Sequence, residues 1–203
     1  MSIPVSAPKS DGDFKSLEPG TYAAVCDQVV NIGVQKIEFQ DEIKNVEQVY
    51  LRFEVPAERL DYIDKQGNSQ NRPMIIGLTC TNSLHEKAKL RHYLESWRGR
   101  AFTDEELENF DLTNILGKAC LLTVIHRVSQ RGKSYAAISG IAPLMKGMEI
   151  PKAENKLIGY HPVFAPESEP ELADWLKEKL AARVVPLPEK AAPDDFKDSD
   201  IPF

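Results

Sequence analysis

Ten residues, His126 to Tyr135 (HRVSQRGKSY), hold three fixed positive charges, a histidine and an aromatic ring, with no acid among them. The chain as a whole carries 31 acidic and 25 basic residues and a net charge of −6, so this gap in the acids is informative. Arg127, Arg131 and Lys133 could neutralise phosphates, and Tyr135 offers a ring on which a base could stack. Tyr50 and Arg52 repeat the pairing of aromatic and cation. His126, Lys36, Phe39 and Arg72 complete the candidate nucleic-acid-binding set. Each has a plainer alternative. A basic turn also serves solubility, Tyr50 fits the rim of a core, and Phe39 fits the core itself.

Catalytic residue types are present without catalytic spacing. The chain has neither a P-loop nor a GxGxxG. His85 and His92 are seven apart, two helical turns rather than the single turn that HExxH provides. Asp104-Glu105-Glu106 reads as charge favoured at a helix N-terminus. Cys80 and His85 form a nucleophile pair on paper, but Cys80 alternates with Ile76 and Leu78 and should face the core as an inert thiol. Cys26, Cys80 and Cys120 are odd in number and widely spaced, which argues against a disulfide framework or a zinc knuckle. The expectation is a non-enzyme without metal or cofactor, with a cysteine-dependent hydrolase as the catalytic alternative.

The elements that position these residues follow from periodicity. EPGTYAAVCDQVVNIG (18–33) and VQKIEF (34–39) are rich in strand formers. In VEQVYLRFEVP (46–56), Val49, Leu51, Phe53 and Val55 point one way, and Gln48, Tyr50, Arg52 and Glu54 point the other. RPMIIGLTCT (72–81) reads as a third strand. A helix is predicted over 83–97, opened by a Ser83/Glu86 capping box, and a Thr103/Glu106 box opens a short acidic turn. KACLLTVIHRV (118–128) and KSYAAISGIA (133–142) form a hairpin around the SQRG turn. Past a proline-punctuated stretch, Ser168 and Glu171 cap a predicted amphipathic helix over 168–184, with Leu172, Trp175, Leu176 and Leu180 in one stripe.

Three strands, a helix and two strands is the element order of the OB-fold. That fold is a five-stranded Greek-key barrel that binds oligonucleotides or oligosaccharides on strands 2 and 3 and on the 1–2 and 4–5 loops. The fold class expected is therefore mainly β with helical insertions: an OB barrel plus a C-terminal amphipathic helix and a disordered acidic tail. The expected domains are a flexible N-terminus (1–16), a nucleic-acid-binding barrel (17–150), a linker with the amphipathic helix (151–184) and the tail (185–203).

From residue 186 onward there are five acids and two bases, half of the net charge of the chain. Its last ten residues, DDFKDSDIPF, resemble the acidic C-terminal tip of bacterial and bacteriophage single-stranded-DNA-binding proteins, and the overall look of the chain is closer to the phage-encoded versions. Lys197 and Ser199 interrupt the aspartate run of that family. The usual Gly/Gln/Pro-rich linker is replaced by a helix. The resemblance implies that Asp198, Asp200, Ile201, Pro202 and Phe203 dock on replication, recombination and repair proteins. A basic pocket would pair with the carboxylates, an apolar slot would take the Phe203 ring, and Pro202 lowers the entropy lost on docking.

These readings converge on a protein that coats single-stranded DNA with little sequence preference and recruits partners through its acidic tip. A different class, an adaptor whose barrel binds protein, stays open. No apolar run approaches the ~20 residues of a membrane span. The N-terminus lacks a secretory pattern, so the expected place is the cytoplasm, that of the bacterial host if the chain is phage-encoded. The oligomeric state stays open.

Overall fold

The alternation over Val49, Leu51, Phe53 and Val55 produces a strand with one face wholly in the core, each of the four at most 2% exposed. The computed structural model describes residues 16–39, 42–63, 67–129, 131–162 and 170–184. In it this strand, β2, runs Glu42–Ile63, longer than the predicted 46–56. Pro56 cannot donate to a ladder, and there the pairing slips between Val55 and Arg59 before resuming toward the hairpin loop. β1 is one strand, Gly20–Phe39, and β3 spans Ser69–Thr81. The register of β1 against β2 shifts at Cys26/Gln28 and again at Asn31/Gly33. Bulges of this kind bend a strand and increase its twist.

β4 (Ala119–Val128) and β5 (Ser134–Ala142) complete a curled antiparallel sheet in the order β3-β2-β1-β4-β5. β1 is the shared strand. Its first residues, Gly20–Val25, pair with β4, and from Val25 onward it pairs with β2 on its other edge. The protein is thus mainly β, a half-barrel with helical insertions, in which β3 and β5 approach each other without forming a ladder.

The helical insert between β3 and β4 is shorter than its periodicity suggests. α1 is Lys89–Arg98, not 83–97, and its N-cap is Ala88 without a side-chain cap. Ser83 Oγ instead accepts from His85 N in a turn that precedes the helix. Leu90, Tyr93, Leu94 and Trp97 enter the core. Tyr93 Oη donates to Ile138 O on β5, and Trp97 Nε1 donates to Ala119 O at the start of β4. The second predicted box is present as read: Thr103 and Glu106 cap α2 (Asp104–Asn109) reciprocally. A 3-10 turn, Leu112–Ile115, leads into β4.

After β5 the chain returns across the outer face of the sheet. A short strand unforeseen in the sequence reading, β6 (Ile158–Tyr160), pairs parallel with Gln28–Val30 of β1, on the edge that β4 has left. The last described element is α3, Asp174–Ala181, rather than 168–184. Its N-cap is Ala173 without a side-chain cap, and Ser168 lies outside the described residues. Leu172, Leu176 and Leu180 pack on Val30 and Ile32 of β1, making a second core on the far side of the strand. Gly33, at φ 71°, receives the Arg183 side chain, and Val184 N donates to Val34 O.

Candidate nucleic-acid interface

The cationic hairpin tip is built by its own short-range bonds. Ser129 N donates to Lys133 O and Gly132 N to Ser129 O, while Ser129 Oγ accepts from Lys133 N. Gly132 takes the left-handed φ of 75° that the turn requires. Arg127 stands opposite Tyr135 in the ladder, and Arg127, Arg131, Lys133 and Tyr135 are all exposed. No acid among the described residues pairs with these three cations. The other predicted member, His126, is exposed with Nε2 2.9 Å from Leu17 O.

Beside this tip lies a groove of about 400 Å³ where β3 and β5 face each other. Tyr135, Ser134, Met74, Ile75, Gly77 and Leu17 line it. Arg72 is two residues from Met74 on β3, exposed, with its guanidinium 4.5 Å from the centre of the Tyr62 ring. Sequence reasoning missed Tyr62. Its signal was present in the turn-rich loop DKQGNSQN, which predicts a hairpin and hence a longer β2. Arg59, on the same arm, is spent on Glu154 and Asn71.

Tyr50 and Arg52 do lie on the face away from the main core, but each is half-buried there. Arg52 makes a bidentate pair with Asp27, Nε to Oδ1 at 3.0 Å and Nη2 to Oδ2 at 2.8 Å, and Asp27 is fully buried. Burial pushes the Asp27 carboxyl above its ordinary range, Arg52 pulls against this, and Glu54 adds to the rise. Glu54, expected at a polar surface, is also buried and accepts from the backbone N–H of Glu154 at 2.7 Å and Asn155 at 2.8 Å. The returning chain therefore covers this stretch, and Arg52 serves first as the counter-ion of a buried carboxylate. Tyr50 lies against Gly77, where a Cβ would collide with its ring. On its other side it meets Trp175 edge-on, with ring centres 4.9 Å apart.

Lys36 is exposed at the distal end of the β1–β2 ribbon, where the Lys44–Glu42 ion pair also lies. The backbone of Phe39 closes that ribbon opposite Glu42; its side chain, like Asp198, Asp200, Ile201, Pro202 and Phe203, lies outside the described residues. The three thiols are buried. Desolvation pushes Cys80 up to about 11 and raises Cys26 and Cys120 further. Such groups are protonated at neutral pH and poor nucleophiles. His161 lines a hollow of about 490 Å³ with Asn31, Asp111 and Thr113, and burial lowers its pKa. Asn31 in that hollow is engaged by Gly33 N and Glu47, and Asp111 by Thr113. Among the described residues, no helix is long and apolar enough to cross a membrane, and no three acidic, histidine or cysteine side chains gather as a metal would require.

What the arrangement offers is cations and rings on one end of a curled sheet, beside a shallow trough. In comparisons with known proteins, no family model matches the chain and no curated sequence is significantly similar to it.

Proposed function

We propose that the chain is a non-catalytic, OB-type single-stranded-DNA-binding protein, engaging the strand at the β4–β5 tip and along the adjoining β3–β5 groove. One observation carries the reading. Arg59, Arg91, Arg98 and Arg100 are tied to acids, whereas Arg127, Arg131, Lys133 and Arg72 stand exposed with no acid partner among the described residues. Two of these free cations have an aromatic ring at hand, Tyr135 across from Arg127 and Tyr62 under Arg72. Phosphates would meet the cations and bases the rings. The strand order β3-β2-β1-β4-β5, with a helix between β3 and β4 against the barrel end, supports the OB reading. The tip, Asp198 to Phe203, recruits replication, recombination and repair proteins in this proposal, on the strength of its resemblance to the single-stranded-DNA-binding family. Work of this kind belongs in the cytoplasm of a bacterium or of a phage-infected host.

A salt titration with labelled oligo-dT and a matching duplex tests it. Binding should prefer the single strand and weaken with salt. Replacing Arg127, Arg131 and Lys133 together by alanine should flatten the slope of log K against log salt by about 2, at roughly 0.7 per phosphate contact on a single strand. No binding to oligo-dT at low salt would sink the proposal and favour the protein adaptor.

A further inference from the structure

Two tryptophans have opposite fates in this chain. Trp97 is 7% exposed and belongs to the main core, while Trp175 on α3 is 41% exposed. The apolar stripe of α3 is already complete without it, since Leu172, Leu176 and Leu180 occupy Val30 and Ile32 of β1. Trp175 sits on the flank of the helix, held edge-on to Tyr50 with 84° between the planes. Tyr50 in turn lies across Gly77, which has no side chain to displace it, and Gly77 lines the groove that also contains Tyr135. The cationic tip and Gly77 thus border one groove, and from Gly77 contacts lead through Tyr50 to a half-solvated indole. An indole held in one orientation by an aromatic neighbour, with part of its surface in water, is a platform for a planar group. The charges of α3 balance, Lys177 and Lys179 against Asp174 and Glu178, so the helix carries no net charge that would oppose a phosphate chain.

We propose that Trp175 stacks a base of the bound single strand, so that α3 is part of the binding surface and the strand's path extends from the β4–β5 tip past Tyr50 onto the helix. This rests on the single-strand reading above. Trp175 is a binding residue here, and the occupant is a nucleobase of single-stranded DNA.

The test uses the full chain with labelled oligo-dT. Anisotropy follows binding, and intrinsic tryptophan emission follows stacking, with Trp97 as the buried reference. Binding should quench the wild-type emission. Trp175→Phe should bind within about threefold of wild type yet lose most of that quenching, since a smaller ring still stacks. Trp175→Ala should bind about 5- to 140-fold more weakly, the loss of one stacked base, with its Trp97 emission and melting temperature kept. Should the alanine variant lose its fold, the comparison of wild type with Trp175→Phe decides by itself. Oligo-dT bound by the wild type without quenching, or bound as tightly by a folded Trp175→Ala, overturns the inference and leaves the single-strand reading standing. Absence of any anisotropy change overturns both.

Discussion

Arg52 shows how the same residue type can be spent in two ways. On alternation alone it faces outward with Tyr50, as a phosphate contact would. In the fold its guanidinium answers Asp27, a fully buried carboxylate on the neighbouring strand. Removing one partner of a buried pair leaves the other uncompensated, so Arg52→Met should destabilise the protein by about 3–5 kcal/mol at neutral pH. The sign of the pH effect follows from Asp27, whose pKa in the fold lies above its unfolded value of 3.8. The folded state then binds the proton more tightly, so stability is lost as pH rises through the folded value and regained as pH falls. Urea unfolding between pH 5 and pH 8 should show Arg52→Met recovering stability on acidification more steeply than wild type; parallel profiles would refute the pairing argument. Gly77 matters for the opposite reason, what it lacks. Gly77→Ala would push Tyr50 from its seat, at about 1–3 kcal/mol for overpacking, and should alter Trp175 emission because the edge-on contact is lost.

Among the elements, β1 was legible as a strand and illegible as a centre. AAVCDQVVNI reads as rich in strand formers, and almost all of it is buried, Asp27, Gln28 and Asn31 included, because it has a core on each face. A strand covered on both sides usually reads as a continuous apolar run, and the three polar residues hid that here. What covers it is α3, and a short helix with no side-chain cap depends on its packing. Leu176→Ala should therefore cost about 2–5 kcal/mol locally. Hydrogen exchange should show residues 174–184 opening ahead of the rest of the sheet, and Trp175 emission should shift to the red. Uniform protection would mean that α3 is held by something other than Leu176. The Thr103/Glu106 box was read correctly because both halves of the bond are local in sequence. The Ser83/Glu86 and Ser168/Glu171 boxes have the same letters, yet α1 and α3 begin at Lys89 and Asp174. Glu106 gains further from Arg100 and Arg98, which together with Thr103 lower its pKa from 4.5 to about 2. A depressed carboxylate contributes stability above its unfolded pKa, lost as pH falls through the folded one. Wild-type melting temperature should drop between pH 4.5 and pH 2, and Glu106→Gln should begin lower and drop less over that window.

For the molecule as a whole, charge separation decides how salt acts. Residues 194–203 contain four acids and one base, against a tip with three cations and no acid. If tail and nucleic acid compete for the same cations, removing residues 194–203 should tighten oligo-dT binding at low salt, and the two proteins should converge at high salt as screening grows. Equal affinity at low salt would show that the tail leaves the tip alone. The returning chain sets a second, larger boundary. By covering Asp27, Arg52 and Glu54 it takes part of the outer sheet face out of use and leaves the β3–β5 side open.

What the sequence determined by itself is whatever depends on near neighbours. The alternation of β2, the Thr103/Glu106 cap, the cationic turn at 129–133 and the inward thiols are all set within a few residues. The tertiary structure alone decided which cations remain free, since an arginine's partner lies on another strand, as Asp27 does for Arg52, or about a hundred residues away, as Glu154 does for Arg59. It likewise decided that Trp175, in line with Leu172, Leu176 and Leu180 by periodicity, stays half in water. The three leucines pack on Val30 and Ile32 of β1, and the fourth member of the stripe meets Tyr50 instead.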